Sequence, residues 1–455
     1  MKRALVVAAL LLSSRSASAQ CPPRPTDAAG YNGYTYGAET EATIDGASAR
    51  IHYVTAGTHA ASAADAQYAS DTAETALAKY AAMGFAKPPS DESCAATNGG
   101  DGKLDIYLVK FAGADGTTVK CACTGAKCSS FMLVESTFKG RGYPTTNEGF
   151  RTVVTHELFH AVQNAYVADT DARFWQEGTA QWGMTQVYPE LTDFENQLPA
   201  FFAEPKRSLD TASGVSGGYL YGSSVWPLFL SLRHGDTFVK EVWEKQAGGD
   251  EAVPAIDAVL KAKGTSLADE FPLFWAWNVG TKDRAGAGGY PDAAKYPGVK
   301  TVGTLEEGAT GITSGLSAFA FSGDLGGKMK VSLETDEARN SGVLVPLDDA
   351  GKTQLDKAQK LPAVAEGNVL VVVTGVTTKK TDAPFTIHIT ADDGSTSSSS
   401  SSSSGGGGGG GGDDGGCACS TQRSQPNAAP FALFVAAMII VARRSRARVQ
   451  STSHD

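Results

Sequence analysis

One segment of the sequence carries histidine and glutamate side chains at a spacing that suits metal chemistry. His156, Glu157 and His160 form the motif H-E-x-x-H. Residues four apart lie one above the other on an α-helix, so His156 and His160 can direct two imidazole nitrogens at one ion. Two neutral nitrogens suit zinc, and a catalytic zinc takes one more protein ligand and keeps one position open. Glu157 would lie beside that position, where a carboxylate can accept a proton from water.

The third metal ligand decides the class of the site. The metzincin motif H-E-x-x-H-x-x-G-x-x-H is excluded, because this chain has Gln163 and Tyr166 where that motif needs glycine and histidine. Glu177 follows in W-Q-E-G-T-A, on a segment that predicts a second helix from about Phe174 to Val187. A short turn between two antiparallel helices could return Glu177 to the histidine pair and complete a His₂Glu site.

This combination resembles the gluzincin zinc metallopeptidases, the group that includes thermolysin and the zinc aminopeptidases. In that group H-E-x-x-H is followed on the next helix by a glutamate ligand in E-G-x-A, as in this chain. The resemblance implies a thermolysin-like α+β catalytic domain in which His156, His160 and Glu177 bind Zn²⁺ and Glu157 is the general base. Thermolysin-like members carry an aspartate where this chain has Gln181, whose carbonyl can still accept an imidazole N–H.

The sequence offers three candidates for a group that stabilises the oxyanion of the reaction. Zinc aminopeptidases and related gluzincins carry Y-x-x-G at the start of a helix, and Tyr219 matches that spacing to Gly222. An un-ionised phenol is a suitable donor to charge that develops in the transition state. Tyr221 and His234 are the alternatives, and all three could instead be packing residues.

The segments around the motif are patterned as supporting elements. Thr145 and Glu148 form a capping box that predicts the start of the zinc helix. Downstream, periodicity predicts an α-rich half from about Ser223 to Trp277. Upstream, the patterns predict one helix and three strands, namely a helix over Ala60–Met83 and strands over Arg50–Thr55, Leu104–Phe111 and Ser130–Thr137.

Two further features of this region bear on binding. In gluzincins an edge strand beside the active-site cleft binds peptide substrate as an added strand, and the resemblance makes Leu104–Phe111 or Ser130–Thr137 the candidate. The turn Asn98–Gly102 with Asp105 could suggest calcium, but a plain turn is the preferred interpretation.

The N-terminus predicts export. Met1–Ala19 has a positively charged start, an apolar stretch and a small-residue cleavage site, as in a secretory signal peptide. The mature chain would begin near Gln20.

Export predicts disulfide bonds among the clustered cysteines. Because Cys121 and Cys123 are too close to bridge to each other, we expect Cys121–Cys128 with Cys94–Cys123, or the crossed version. A structural zinc site is the rival interpretation, and Cys21 has no assigned partner.

The composition changes after the predicted metallopeptidase domain, residues 20–298. Residues 299–392 predict a small all-β sandwich domain, because apolar and polar residues alternate in short segments such as Met329–Leu333 and Phe385–Ile389. None of its motifs is catalytic. By analogy with other exported peptidases, such a domain would bind or position substrate.

The C-terminal end predicts a tether and a sorting signal. Residues 393–416 are rich in Ser and Gly and predict a flexible linker. Residues 417–448 contain Cys417, an apolar run and terminal arginines that would remain on the cytoplasmic side of a membrane. This segment resembles the MYXO-CTERM sorting tail of exported bacterial surface proteins, which implies processing near Cys417 and attachment to the cell surface. An ordinary C-terminal transmembrane anchor is the alternative.

Charge and motifs together predict an exported enzyme. The net charge of -10 and the pI near 5.3 argue against nucleic acid as a partner. We expect a surface-associated zinc metallopeptidase that hydrolyses peptide bonds in protein or peptide substrates, with Glu157 as general base. The alternative is an inactive or repurposed surface adhesin or binding protein on a metallopeptidase-like fold, which the missing aspartate at position 181 would favour.

Overall fold

A mixed five-stranded sheet precedes the H-E-x-x-H helix. In the computed structural model its order is β1-β2-β3-β5-β4, with β3 parallel to both of its neighbours and the outer pairs antiparallel. One edge of the sheet is therefore β4. The strands are β1 Glu41–Asp45, β2 Ala49–Val54, β3 Leu104–Val109, β4 Gly116–Thr124 and β5 Lys127–Glu135.

The structure describes residues 21–94, 98–170, 172–211, 218–300, 302–335, 339–377 and 381–392. The predicted signal peptide, linker and C-terminal tail lie outside these ranges. Within the ranges, no helix has both the length and the apolar character that a membrane span requires.

Helices dominate the middle of the chain, and the predicted helices form, although the first begins at Ala63 and not at Ala60. The side chain of Ser62 caps the first helix, which ends before Gly84, a residue with a φ of 83°. Thr145 caps the H-E-x-x-H helix by accepting the Glu148 N–H at 3.1 Å. The helices are α1 Ala63–Ala82, α2 Thr146–Gln163, α3 Arg173–Val187, α4 Asp193–Phe202, α5 Gly218–Gly222, α6 Val225–His234, α7 Phe238–Ala247, α8 Ala252–Ala262 and α9 Leu267–Val279.

The three predicted strands form, but the expected edge strand is wrong. Leu104–Phe111 corresponds to β3 and Ser130–Thr137 to β5, and both have a neighbour on each side. The edge beside α2 is β4, which the sequence did not predict. Its residues are small or polar and only partly buried, so hydrophobic alternation in β4 is weak.

The second β region forms two sheets, with strand orders β11-β10-β13-β8-β6 and β12-β9-β14-β7. Val369, Val371 and Val373 pack in a cluster with residues of the opposite sheet, whereas Leu370 and Val372 join the core that includes α9. These five residues belong to β13, which is apolar from Val369 to Val373 because both of its faces are covered. The strands are β6 Val302–Thr304, β7 Thr310–Ser314, β8 Ala318–Asp324, β9 Met329–Thr335, β10 Asn340–Pro346, β11 Gln359–Lys360, β12 Ala363–Ala365, β13 Asn368–Gly375 and β14 Asp382–Ala391.

The described residues contain two disulfide bonds, but the pairing differs from the first predicted one. Cys123 bonds Cys128, as in the crossed version, whereas Cys94 bonds Cys21 and leaves Cys121 as a buried thiol. Cys123 and Cys128 are directly opposite in the β4–β5 ladder, and this register could not be seen without β4. Two disulfides fit an exported protein.

A buried charge cluster fastens the N-terminal segment to the sheet. The Arg24 guanidinium contacts Asp91 and lies 2.6 Å from Asp105 Oδ2. His52 lies between Asp105, at 2.8 Å, and Glu41. Asp105, which lies near the turn considered for calcium, is thus already paired with Arg24 and His52. We refer to Arg24, His52, Asp91 and Asp105 as the Arg24 cluster.

Candidate metal centre

Helices α2 and α3 approach each other closely enough to bring their polar faces together. Gly183 of α3 lies against Phe159 of α2, and a Cβ at position 183 would come within 2.4 Å of the Phe159 ring. Glycine is therefore needed for this approach. The approach turns His156 and His160 of α2 toward Glu177 of α3.

Three side chains converge on one point, as the sequence predicted. His156 Nε2 and His160 Nε2 lie 3.3 Å and 3.4 Å from Glu177 Oε2, and the two nitrogens are 3.1 Å apart. Among the described residues, these three form the one group of His, Cys, Asp or Glu side chains clustered closely enough to hold a metal ion.

The donor set and its spacing fit zinc. Ligand atoms arranged tetrahedrally at about 2.0–2.1 Å from a zinc ion are about 3.3 Å from one another, and the observed separations are 3.1, 3.3 and 3.4 Å. Two imidazole nitrogens and one carboxylate oxygen also form a set found in catalytic zinc sites with an open position. His156, His160 and Glu177 can therefore hold this ion.

A glutamine and an aspartate fix the orientation of His156. His156 Nδ1 lies 3.1 Å from Gln181 Oε1, and Gln181 Nε2 donates to Asp193 Oδ2 at 2.6 Å. A carboxylate only accepts, so the amide nitrogen of Gln181 must face Asp193 and its oxygen must face the imidazole. The proton of His156 is then on Nδ1, and the Nε2 lone pair is free for a metal.

A second glutamine orients His160 in the same way. His160 Nδ1 lies 2.8 Å from Gln163 Oε1, and Gln163 Nε2 donates to the carbonyl oxygen of Gln176 at 2.8 Å. The carbonyl fixes the amide orientation, so Nε2 of neutral His160 also offers its lone pair. The two Nε2 atoms and Glu177 Oε2 therefore face one another, and a metal cation or a proton can join them.

Glu157 lies beside the three candidate ligands and is 8% exposed. Thr118 Oγ1 lies 2.7 Å from Glu157 Oε2 and can donate to it. Strand β4 passes very close at Gly116, where a Cβ would come within 2.5 Å of Val153 and 2.9 Å of Glu157 Cγ. Gly116 thus lets the edge strand approach the helix that carries the motif.

Two hollows meet at the candidate metal centre, and both are lined by Gly116, His156, Glu157 and Tyr221. The larger hollow, of about 580 Å³, also contains His160, Glu177 and Lys120. The smaller one, of about 390 Å³, extends toward Asp115 and Asp193, and we call it the acidic hollow. A separate cavity of about 430 Å³ beside α1 touches none of the shared residues.

The charges around the site favour an ionised Glu177. Burial lowers the pKa of His160, but the Glu177 carboxylate and then Glu157 raise it to about 9. Burial raises the pKa of Glu177, yet the two histidines bring it well below its usual range. Arg173 contacts Glu177 Oε1 at 3.3 Å, whereas Glu177 Oε2 faces the two imidazoles. An ionised carboxylate is the form that binds metal.

The structure does not bring Tyr219 to the metal centre. The Tyr219 hydroxyl donates to the carbonyl oxygen of Arg207 at 3.2 Å, and the Arg207 guanidinium lies over the Tyr219 ring. Tyr219 lines neither hollow. His234 is also elsewhere, 3.4 Å from Glu270. Tyr221 lines both hollows, and its ring centroid lies 5.8 Å from that of His156.

Sequence reasoning missed several of these neighbours. Thr118 and Gly116 belong to the unpredicted strand β4, where a glycine next to two threonines gave only a weak strand signal. Gln163 was considered only as a mismatch to another motif, although it stands three residues after His160, on the same helical face. Asp193 is twelve residues beyond Gln181, and no local pattern links the two.

Comparison with known proteins adds little on function. Residues 142–279, which include His156, Glu157, His160 and Glu177 but less than half of the chain, match a family described as "Family of unknown function (DUF6055)". The comparison with curated proteins finds no match. Among solved structures, the chain is similar to Salmonella Typhimurium PliG, a periplasmic lysozyme inhibitor of g-type lysozyme, with 16% identity over 20% of this chain and 98% of that one. The TM-score of 0.13 is too low to support an argument about fold or function.

Proposed function

We propose that this protein is a zinc-dependent metallopeptidase with a gluzincin-type, thermolysin-like catalytic domain. One observation carries the proposal: His156, His160 and Glu177 direct three ligand atoms at one point, at separations of 3.1–3.4 Å, beside the buried Glu157. A bound zinc would polarise a substrate carbonyl and acidify water.

Glu157 is proposed to move the proton in this reaction. Thr118 can donate to Oε2, whereas no donor among the described residues reaches Oε1. Oε1 can therefore accept a proton in the hollow and later return it to the leaving amine of the substrate. Because Thr118 contacts Oε2 and Gly116 lies close to the side chain, the carboxylate is held in position for this transfer.

Tyr221 is the better candidate for the oxyanion donor than Tyr219. Burial, together with the carboxylates of Glu177 and Glu157, raises the pKa of Tyr221 to about 12. The phenol therefore keeps its proton at neutral pH and can donate it in a hydrogen bond to a developing oxyanion.

The free edge of β4 supports a peptide as substrate. Gly116, Thr117, Thr118 and Lys120 line the larger hollow, and β4 pairs with β5 on one side only. An extended peptide can add to such an edge through backbone hydrogen bonds, which would hold its scissile bond near Glu157.

We also propose export to the cell surface, on the basis of the signal peptide and the C-terminal sorting tail in the sequence. The two disulfides agree with an oxidising compartment. Membrane fractionation of cells that express the full chain, with and without residues 417–455, tests the attachment. Equal release of both forms into the medium would argue against it.

The proposed activity is tested with casein and a mixed peptide library. We expect hydrolysis that stops with a zinc chelator and returns with Zn²⁺, and a loss of about 10²- to 10⁴-fold in Glu157→Gln with zinc retained. Asp71→Asn, on the exposed face of α1, is the matched control and should match the parent. Full activity in Glu157→Gln would reject the assigned base, whereas stoichiometric zinc without any hydrolysis would favour the binding-protein alternative.

A further inference from the structure

The acidic hollow differs from the larger one in its charges. Its charged lining consists of Asp115, Glu157 and Asp193, apart from the candidate ligand His156, and it includes no lysine or arginine. The larger hollow also has carboxylates, but Lys120 lies among them. The two hollows therefore offer different surroundings to the groups on a substrate.

The charges of Asp115 and Asp193 are only partly compensated. Arg141 lies 3.3 Å from Asp115 Oδ1 and also contacts the buried Glu135 at 2.7 Å, which Lys110 contacts as well. The Tyr143 hydroxyl donates to Asp115 Oδ2 at 3.1 Å. No cation contacts Asp193 within the described ranges, where its carboxylate accepts from the neutral amide of Gln181. The hollow thus keeps an excess of negative charge.

A bound zinc would leave this excess in place. Its two positive charges would be balanced by Glu157 and Glu177, both of which lie next to the ligand atoms. Asp193 would remain without a cation among the described residues, and Asp115 would still share Arg141 with Glu135. Burial raises the pKa of Asp115, the Tyr143 hydrogen bond and Arg141 oppose this rise, and repulsion from Glu135 and Asp193 adds to it.

The size of the hollow also suits a substrate side chain. Gly113 and Ala114 border it, and a Cβ at Gly113 would meet no atom within 4 Å. Its volume of about 390 Å³ is at the lower end for ligand pockets, which run from about 300 to 1,000 Å³. The Glu157 side chain lines the same hollow, and no described residue donates a hydrogen bond to its Oε1. The hollow therefore begins at the proposed reacting centre.

We propose that the acidic hollow binds an organic cation of the substrate, an ammonium or guanidinium group, within one residue of the scissile bond. This proposal rests on the proposed peptidase function and makes Asp115 and Asp193 its specificity-determining residues. The cation can come from two sources, a lysine or arginine side chain or the free N-terminal ammonium of a peptide. Both would be held by charge-assisted hydrogen bonds to the two carboxylates.

The test uses the zinc-loaded full chain and a set of quenched fluorescent peptides. N-acetylated peptides carry Lys, Arg, norleucine or Glu at each position in turn, and the norleucine series is repeated with free N-termini. We expect kcat/KM to be roughly five- to tenfold higher for Lys and Arg than for norleucine at one position beside the cleaved bond, and lowest for Glu. A preference for the free N-terminus with cleavage of the first bond would instead identify the N-terminal ammonium as the bound cation.

Asp115→Asn should remove most of this preference while norleucine peptides are still cleaved. Asp71→Asn, which removes one charge from the exposed face of α1, should keep it. Asp193→Asn should also reduce the preference, and its zinc content is measured because Asp193 supports Gln181. Equal cleavage of Lys, norleucine and Glu peptides, with no effect of acetylation, would overturn the proposal.

A binding measurement distinguishes failure of the proposed peptidase function from failure of the proposed cation site. If the zinc-loaded parent cleaves no peptide, the proposed function is wrong, and the same peptides are then bound to the parent and measured by fluorescence anisotropy. Tighter binding of Lys or free-amine peptides than of Glu peptides, weakened in Asp115→Asn, would still support the acidic hollow as a cation site. Equal binding of all peptides would overturn it.

Discussion

The Arg24 cluster and the candidate metal centre both bury a histidine against carboxylates, yet they differ in what lies between those groups. In the Arg24 cluster the guanidinium of Arg24 contacts Asp91 and Asp105, so the positive charge is supplied by the protein. In the metal centre, His156, His160 and Glu177 direct acceptor atoms at one another, and the nearest guanidinium, of Arg173, contacts the outer oxygen of the carboxylate.

This difference separates a structural cluster from a candidate site. Buried charges are stabilised when they are paired, and the Arg24 cluster is paired internally. In the candidate metal centre the balancing charge is a metal ion or a proton on His160, and the site opens into two hollows through which ion and substrate can enter. Burial of a histidine beside a carboxylate is therefore not sufficient to identify a site, since His52 meets that description as well.

The largest effect on stability is expected from breaking the Arg24 cluster. Arg24→Met removes the guanidinium from the buried Asp91 and Asp105 and leaves only His52 beside Asp105, which should lower the free energy of unfolding by about 3–5 kcal/mol. Urea denaturation measures the loss, and zinc binding by the folded fraction should remain at one equivalent. Lys261→Met, in an exposed pair, should leave the unfolding curve nearly unchanged. An Arg24→Met variant as stable as the parent would contradict the structural role of the cluster.

A somewhat smaller effect is expected at the tyrosine beside the metal centre. Tyr221→Phe removes the proposed oxyanion donor and should lower kcat by about 10²- to 10³-fold with little change in zinc affinity. Tyr219→Phe removes a hydrogen bond to Arg207 and should cost about 1 kcal/mol of stability without lowering kcat. Steady-state kinetics of both variants decide the assignment. If Tyr219→Phe lost the activity and Tyr221→Phe kept it, the sequence-based candidate would be restored.

The smallest effect is expected from the glutamines that orient the imidazoles. Gln181→Leu and Gln163→Leu should each lower zinc affinity by about 10- to 100-fold, because the histidine tautomer is no longer fixed. Competition with a fluorescent zinc chelator measures the change. Gln186→Leu, on α3 but with its amide bonded to Thr185, is the control and should bind zinc like the parent. Unchanged affinity in both test variants would show that the amides do not orient the ligands.

The local parts of the site could be predicted from the sequence. His156 and His160 are related by helical spacing, and Glu177 follows on the next helix after a short connection, so their approach depends on few contacts. The expectation that Gln181 would accept the imidazole N–H is also confirmed, at 3.1 Å. The two layers of the second β region followed from alternation in most of its strands.

The parts that depend on distant packing could not be predicted. Tyr219 and Tyr221 lie on the same short helix, and which of them faces the metal centre is decided by the packing of Tyr219 under Arg207. Strand β4 carries few large apolar residues and is recognised only by its pairing with β5. The Cys21–Cys94 bond joins segments 73 residues apart, and no spacing rule relates them.

Zinc K-edge X-ray absorption of the zinc-reconstituted protein, combined with metal quantification, tests the central claim most directly. We predict one equivalent of zinc with two imidazole nitrogens and a carboxylate oxygen at about 2.0–2.2 Å, and loss of the bound equivalent in His160→Ala but not in His52→Ala. Sulfur ligands from the cysteines, or no bound zinc after dialysis, would contradict the assignment of His156, His160 and Glu177 as a metal centre.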